Sequence, residues 1–542
     1  VVDVPSVAEY AKDLPYVEYA TDNLYSCSQD TQDTISQIIK QKNLNRVVVA
    51  ACTPKTHEPL FQETLINAGI NKYLFEMANI RNQDSWVHKN NPDLATQKAR
   101  DLVRMAVSKV ALMEPLEEAE LQVDQTAMVI GGGISGMATA LSLSRQGYET
   151  HLVEKDSQLG GQALNLFRTT KGEDIQKNVS ELIEAVNADD KIHLHLNAQL
   201  ASVEGFVGNF KSTVSANGNE KSIEHGIAVM ATGASALKTD EYDYGKDPRI
   251  LSSLELDKKL IDKDPSLKKL STAVFIQCVG SREPERPYCS RVCCTHSIEN
   301  ALQLKKLNPE MNVFILYRDI RTYGEREYVY KKAREAGVIF IRFDLDNKPQ
   351  VDITDGKLTI KTIDPILGLP VEIETDLVTL ATAIVPNKDE QLANFFKVPL
   401  NDDGFFIERH AKLGPSEFAT DGVFLCGLAH YPKPIDESIA QAKAAASRAV
   451  TLLAQKNVFM SGTIALTDPM NCSSCGVCVS ICPYSAPSFT EEGRFAGKAE
   501  INPILCKGCG LCVSSCRSGA IHLRGFDNNQ IFAQIFSMNE AV

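Results

Sequence analysis

The sequence holds one tryptophan in 542 residues and no starting methionine. It also has no apolar run near the roughly eighteen residues of a membrane span. Its densest short runs, Val47 to Cys52 and Val423 to Cys426, read as buried strands instead. Positive charge is in deficit: 56 Lys and Arg stand against 69 Asp and Glu, a net charge of −13. That balance is the opposite of the basic surface selected by nucleic acids and anionic membranes, so small molecules and other proteins are the expected partners. No basic segment followed by an apolar stretch opens the chain, so a cytoplasmic location is expected, and the missing Met points to a clipped front end. With 44% hydrophobic and 23% charged residues the chain lies outside the disordered range. At roughly 150 residues per domain it should form three or four domains.

Cysteine is what the chain has in excess. Of 15 cysteines, eight fall between Cys472 and Cys516 and four between Cys278 and Cys294. Thiols so unevenly placed do not make a disulfide framework; clustered in a reducing compartment they mean metal or redox chemistry.

Residues 1–120 alternate helical and strand patterns: a helix from Asp30 to Lys42, the strand at Val47, a helix from Glu58 to Ala68, and a long amphipathic helix from Ala95 to Met113. The acidic stretch Glu114 to Glu120 reads as a linker. Residues 127–154 predict a βαβ unit, a strand to Ile130, a glycine turn, a small-residue helix and a second strand ending at Glu154. A hairpin turn is expected at Ala216 to Asn219. A second βαβαβ series runs over 273–343, with a helix around Ser297 to Leu307, and a further helix spans Asp436 to Leu453. Residues 462–524 form a cysteine-rich module that repeats itself once.

The strongest motif is Cys472-x2-Cys475-x2-Cys478-x3-Cys482-Pro483, followed by Cys506-x2-Cys509-x2-Cys512-x3-Cys516. In this bacterial ferredoxin pattern three closely spaced thiolates bind one cubane and the fourth reaches the other cluster. One 4Fe-4S cluster is therefore assigned to Cys472, Cys475, Cys478 and Cys516, and the second to Cys506, Cys509, Cys512 and Cys482. Structural zinc is the weaker alternative. Arg517 stands where the second run would carry proline, and its charge should favour the reduced cluster.

Gly131-x-Gly133-x-x-Gly136 lies between a strand and a helix, the context in which this fingerprint binds a dinucleotide. Its pyrophosphate would sit at the helix start, with Glu154 on a ribose. The continuation Glu154-Lys155 to Gly161 and the triplet Ala231-Thr232-Gly233 resemble the glutathione and thioredoxin reductase families, and so favour FAD over a nicotinamide. Such reductases carry a second glycine fingerprint, expected here after Val274 to Gln277. It is absent. The turn instead presents Cys278, Cys289, Cys293 and Cys294 beside Arg282, Arg286 and Arg291. These thiols either ligate a third 4Fe-4S cluster or include reactive thiols at a helix start.

Cys-x10-Cys-Ser-Arg-Val-Cys-Cys, joined to an upstream flavin fingerprint and a downstream double ferredoxin motif, resembles the A-type subunits of heterodisulfide reductase and their bacterial relatives. The resemblance extends from Val47 to Pro54 and Leu74 to Arg81, through Gly422 to Gly427, to the C-terminal cysteines. It implies an α/β protein built as a thioredoxin-reductase-like two-domain FAD flavoprotein, with an N-terminal α/β domain and a C-terminal 2×(4Fe-4S) ferredoxin domain. The expected boundaries are 1–120; 121–239 with 386–455 for the FAD domain; 240–385 for the cysteine-bearing second domain; and 456–542.

By the same resemblance, the protein gathers electron pairs and splits or relays them to partner subunits. Those implied are heterodisulfide-reductase B- and C-like subunits and an electron-input module such as a hydrogenase or formate dehydrogenase. Ferredoxin is a further partner, in a homodimer of heteromers. Cys27 and Cys52 resemble ligands of an N-terminal cluster whose remaining cysteines would lie upstream of Val1.

Departures from the family pattern are equally informative. No inserted ferredoxin domain precedes the Ala231-Thr-Gly strand. Glu299 stands where bifurcating members carry a lysine near the flavin, and Leu428 where reductases follow Gly427 with an aspartate, leaving backbone groups or Lys433 for the ribityl hydroxyls. His296, His430 and Trp86 read as structural. Two rival functions stay open: a self-contained NAD(P)H-dependent flavoprotein, and a relay or scaffold that splits no pairs.

Overall fold

The computed structural model describes residues 1–366 and 368–538. The chain folds as two compact units, Gln122–Val458 and a second made of Val1–Leu121 with Phe459–Val542.

The first unit contains two domains on one plan. In the first, five parallel strands lie in the order Val423–Leu425, Ile227–Met230, Ala127–Ile130, Thr150–Val153, Ile192–His195. In the second the order is Ile250–Ser252, Leu377–Thr382, Thr272–Val279, Asn312–Tyr317, Ile339–Arg342, again all parallel. Each domain inserts a three-stranded antiparallel sheet ahead of a later strand of its parallel sheet: Ala198–Phe206, Asn209–Ala216, Asn219–His225 in one, Gln350–Thr354, Lys357–Asp364, Leu369–Thr375 in the other. The hairpin expected at Ala216 turns through Asn217 and Gly218, both at positive φ. The central strands Ala127–Ile130 and Thr272–Val279 are almost wholly buried, as strands covered on both faces must be, which explains their continuous apolar runs. A short antiparallel ribbon, Ala234–Ala236 with Ile384–Pro386, joins the two domains beside the junctions proposed at 239/240 and 385/386.

The other unit pairs two parallel strands, Val47–Ala51 and Phe75–Asn79, with flanking helices. The helix expected from Glu58 starts earlier, at Pro54, because proline is well suited to a first helical turn, where its missing N–H is not needed. Helix Asn528–Met538 lies on helix Pro92–Ala111, where Arg104 Nε donates to the Ser537 carbonyl at 2.6 Å. The cysteine-rich module uses two antiparallel strand pairs, 465–467 with 521–523 and 487–489 with 499–501. Among the described residues no helix is long and apolar enough to cross a membrane.

Candidate flavin and thiol sites

The glycine turn leaves strand Ala127–Ile130 and enters helix Ile134–Ser144, whose start no side chain caps. Its three glycines have separable roles. A Cβ on Gly131 would lie 2.3 Å from the Ala231 carbonyl oxygen, and one on Gly136 1.8 Å from the Gly131 oxygen. A Cβ on Gly133 would meet nothing within 4 Å. Protein packing therefore demands the outer two glycines, while the space at Gly133 is open, as a turn receiving a pyrophosphate at an uncapped helix start requires. The buried Glu154 carboxylate accepts from the N–H groups of Gly132 and Asp156, which aims it into the turn. The segment after Lys155 folds back so that Gly160 N–H donates to the Gly132 carbonyl at 2.9 Å, and Gly161 comes to rest against Gly133.

Around the turn, Thr232 donates from Oγ1 to Asp389 at 2.6 Å, with Ala231 on one side and Gly233, at positive φ, on the other. Burial raises the Asp389 carboxyl, and Lys155 partly offsets it. Across the turn, Gly427 faces Ser135 so closely that a Cβ would lie 2.4 Å from its Oγ. Gln441 locks this corner: its Oε1 accepts from Gly427 N–H at 3.1 Å and from Lys433 Nζ, and its Nε2 donates to His430 Nδ1 at 2.7 Å. His430 therefore carries its proton on Nε2, facing Glu408 at 2.8 Å. Lys433 also donates to the Gly427 carbonyl at 2.6 Å and lies over the Tyr431 ring; burial brings its ammonium down to about 7. These residues fit a flavin dinucleotide. Gln441 escaped the sequence reading, because its role depends on a helix that returns three hundred residues after the glycine turn.

The matching turn of the second domain is built differently. Strand Thr272–Val279 breaks register with its neighbour between Ile276 and Val279, and Cys278 at the break takes φ 60°. The loop then doubles back: Arg282 N–H donates to the Tyr288 carbonyl at 3.0 Å and Ser281 Oγ donates to the same oxygen at 2.8 Å. Cys289 is thereby returned toward Cys278. The helix begins at Cys293, ahead of the apolar period around Ser297, so Cys293 and Cys294 occupy its first turn, the helix start at which the sequence set them. The four thiols are neighbours. Burial, then the proximity of Cys294, Cys278 and Cys289, raises the Cys293 thiol well above its ordinary value, and burial pushes Cys294 up to about 11. Neither thiol is lowered in the way an activated helix-start thiol would be.

The polar groups flanking these thiols fit a missing anionic group. The donors Gln277 Nε2, Thr295 Oγ1 and Arg282 Nη1 are all buried without a protein partner, an arrangement native cores seldom leave unanswered. Beyond the loop, His296 is held by Asp257 at 2.9 Å, a structural pairing. Glu299 is buried, its carboxyl raised by that burial and hydrogen-bonded to Gln303.

In the cysteine-rich module the two runs interlock. The thiol of Cys475 has Cys516 as a neighbour, whereas Cys512 has Cys506, Cys482 and Cys509. Cys472 and Cys478 lie with the first set, and inside each run a short helix opens at a left-handed glycine, Val477–Ile481 after Gly476 and Leu511–Ser515 after Gly510. Among the described residues no group of three or more His, Cys, Asp or Glu closes around a single metal ion. All fifteen cysteines are free.

Cys27 and Cys52 line a cavity of about 1810 Å³ in the N-terminal domain, where Arg81 Nη1 donates to Cys52 Sγ at 3.3 Å. Trp86 departs from the expected packing role: it is 59% exposed and stacked by the Arg81 guanidinium.

Residues 129–176 match the NAD(P)-binding Rossmann-like domain family, and residues 471–520 match the 4Fe-4S dicluster domain. The chain is 35% identical to the A-type subunit of the H(2):CoB-CoM heterodisulfide,ferredoxin reductase of Methanothermobacter thermautotrophicus, over 99% of this chain and 94% of that protein. That alignment runs 631 residues against a chain of 542, so the relative carries segments this chain lacks. It is 34% identical to the A-type iron-sulfur subunit of the CoB-CoM heterodisulfide reductase of Methanocaldococcus jannaschii, over 100% of this chain and 96% of the relative. A solved thioredoxin reductase of Lactococcus lactis superposes with a TM-score of 0.43 at 16% identity, covering 61% of this chain and 99% of its own. At 34–35% identity to these relatives over nearly its full length, the chain belongs to the family of heterodisulfide reductase A-type subunits and is an FAD- and iron-sulfur-binding electron-transfer protein of oxidoreductase class.

Proposed function

We propose that this chain collects electron pairs at an FAD seated on Gly131 to Gly136 and delivers electrons singly to partner subunits. A third 4Fe-4S cluster at Cys278, Cys289, Cys293 and Cys294 would stand beside the two of the C-terminal module. FAD supplies exchange between two-electron and one-electron chemistry, and the clusters supply one-electron storage. The protein's part is placement. Glu154 would hold the adenosine ribose, the open space at Gly133 would admit the phosphates, and Gln441 fixes Gly427 and Lys433 against the same turn. The observation that carries the reading is the exchange of a glycine turn for four neighbouring thiols at the equivalent point of the second domain. A one-electron centre on that turn excludes a second dinucleotide there.

The implied partners are heterodisulfide-reductase B- and C-like subunits, ferredoxin, and an input module using hydrogen or formate, in the cytoplasm. The relatives' names mention hydrogen, formate and ferredoxin for those proteins. Cys27 and Cys52 would join an N-terminal cluster only with further cysteines from upstream. A relay that splits no pairs is the second reading, favoured by Glu299: a buried carboxyl occupies the place that the family resemblance gives to a lysine in bifurcating members. The test is anaerobic purification of the native complex, identification of its subunits, and assay with a two-electron donor. Reduction of ferredoxin only when a disulfide acceptor is also supplied supports splitting. Ferredoxin reduction without that acceptor supports the relay.

A further inference from the structure

The thiol loop lies in a nest of arginines, and Arg282 is engaged differently from the rest. Arg291 donates to the Pro432 carbonyl, the Tyr323 hydroxyl and Glu437 at 2.9–3.3 Å. Arg286 donates from Nε to the Gly280 carbonyl at 2.7 Å and pairs with Glu285. Arg318, at the end of the neighbouring strand, donates to the carbonyls of Ser281 and Arg282. For Arg282, Nη2 donates to Asp319 at 2.6 Å, while Nη1 is buried with no protein partner.

Position makes that free N–H meaningful. Asp319 and Cys278 keep the guanidinium charged against its burial, and its charge in turn acts on the Cys294 thiol. Cys294 Sγ donates to the Asp319 carbonyl at 3.6 Å, so Asp319 is tied to the thiols as well as to the arginine. The Arg282 backbone is held at φ 60°, its N–H fixed by Tyr288 and its carbonyl by Arg318. A long side chain kept in the left-handed region costs conformational energy, and such strain persists where surrounding contacts impose it.

We propose that Arg282 is the counter-cation of the group held by Cys278, Cys289, Cys293 and Cys294: its free Nη1–H donates a charge-assisted hydrogen bond to that group's sulfur, and Asp319 fixes the guanidinium. The proposal rests on reading these thiols as ligands of a 4Fe-4S cluster. Reduction adds one negative charge to such a cluster, and a buried cation beside it stabilises the reduced form more than the oxidised form. Arg282 therefore raises the potential of this cluster, making it a ready acceptor of single electrons. It is a tuning residue rather than a catalytic one.

The test uses the full chain, reconstituted anaerobically with iron, sulfide and FAD, as wild type, Arg282→Lys and Arg282→Met. Iron content and EPR-monitored redox titration are the readouts. In Arg282→Met with full iron content, the signal of this cluster moves to more negative potential, while FAD content and the C-terminal cluster signals stay put. Full iron content with an unmoved potential overturns the proposal. If Arg282→Met loses this cluster's iron, Arg282→Lys decides: a retained cluster supports the need for a cation, and equal loss in both variants overturns it. Failure of the underlying reading looks different. Wild type itself would then hold only about eight irons and show no third cluster signal.

Discussion

The two nested domains share strand direction and the presence of an inserted antiparallel sheet, yet part company at the first turn after the central strand. In one, a strand of four buried residues ends in glycines and passes straight into a helix. In the other, the strand bulges at Cys278 and the chain detours through a strapped loop before its helix begins. The first turn keeps space open at Gly133 before a helix start that no side chain caps, as a polyanion needs. The second fills the space with thiols and arginines, as a buried anionic metal group needs. On the proposed reading the same scaffold would serve two cofactor classes by changing one connection, with the parallel sheet as a rigid base for both.

The sharpest way to break this comparison is inside the glycine turn. Gly136→Val drives a side chain into the Gly131 carbonyl, a backbone atom that cannot step aside, and is expected to abolish cooperative melting of this unit. The Cβ of Gly133→Val meets no protein atom within 4 Å, so this variant should melt like wild type without its ligand, while FAD affinity falls at least a hundredfold, about 2.8 kcal/mol. FAD titration beside thermal melts separates the two. A Gly133→Val protein that holds stoichiometric FAD would move the pyrophosphate elsewhere.

On the thiol side, Cys294→Ala should remove one cluster and leave the rest. Anaerobic iron analysis is expected to fall from about twelve to about eight irons per chain, with FAD content unchanged. Ready alkylation of these thiols in the intact anaerobic protein would instead favour a thiol-redox role, against the upward shift that burial gives Cys293 and Cys294. The missing glycine turn has its own kinetic signature. NADH or NADPH alone should leave the flavin of the isolated chain oxidised through a stopped-flow trace of seconds, and rapid bleaching would promote the self-contained NAD(P)H flavoprotein.

What the sequence disclosed, and what it did not, divides by distance along the chain. The glycine turn and the ferredoxin runs are legible because their chemistry is written in spacings of two to four residues. The second domain was recognisable from its strand and helix periods, but the shape of its cysteine turn was not. The loop closes through Ser281 and Tyr288, and the helix start at Cys293 lies before the apolar period that marked it at Ser297. Gln441, Asp319 and the unpartnered Arg282 Nη1 depend on contacts made across dozens to hundreds of residues, for which no local pattern exists. Trp86 shows the opposite error: an aromatic counted as packing is instead an exposed ring under a guanidinium beside Cys52.

The smallest expected effect concerns Lys433, locked against the Gly427 corner, and its sign follows from linkage. In the folded chain without FAD its value is brought down to about 7, by burial above all, from an ordinary 10.5. Between those two values the unfolded chain binds a proton that the folded chain does not, so this group makes stability rise as pH rises across that interval. Below about pH 7 the folded state carries the full cost of a buried cation; as pH climbs toward the ordinary value the unfolded chain loses its proton too, and that cost fades. Lys433→Met removes the cation while keeping an unbranched side chain of similar length. The variant should therefore melt above wild type at pH 6.5, and its advantage should shrink steadily as pH is raised toward the unfolded value. Paired melts of the FAD-free proteins across that range measure it, and the difference between the two proteins cancels titrations they share. A gap that stays constant would mean Lys433 does not titrate there, and that the hydrogen bonds to Gly427 and Gln441 hold it charged.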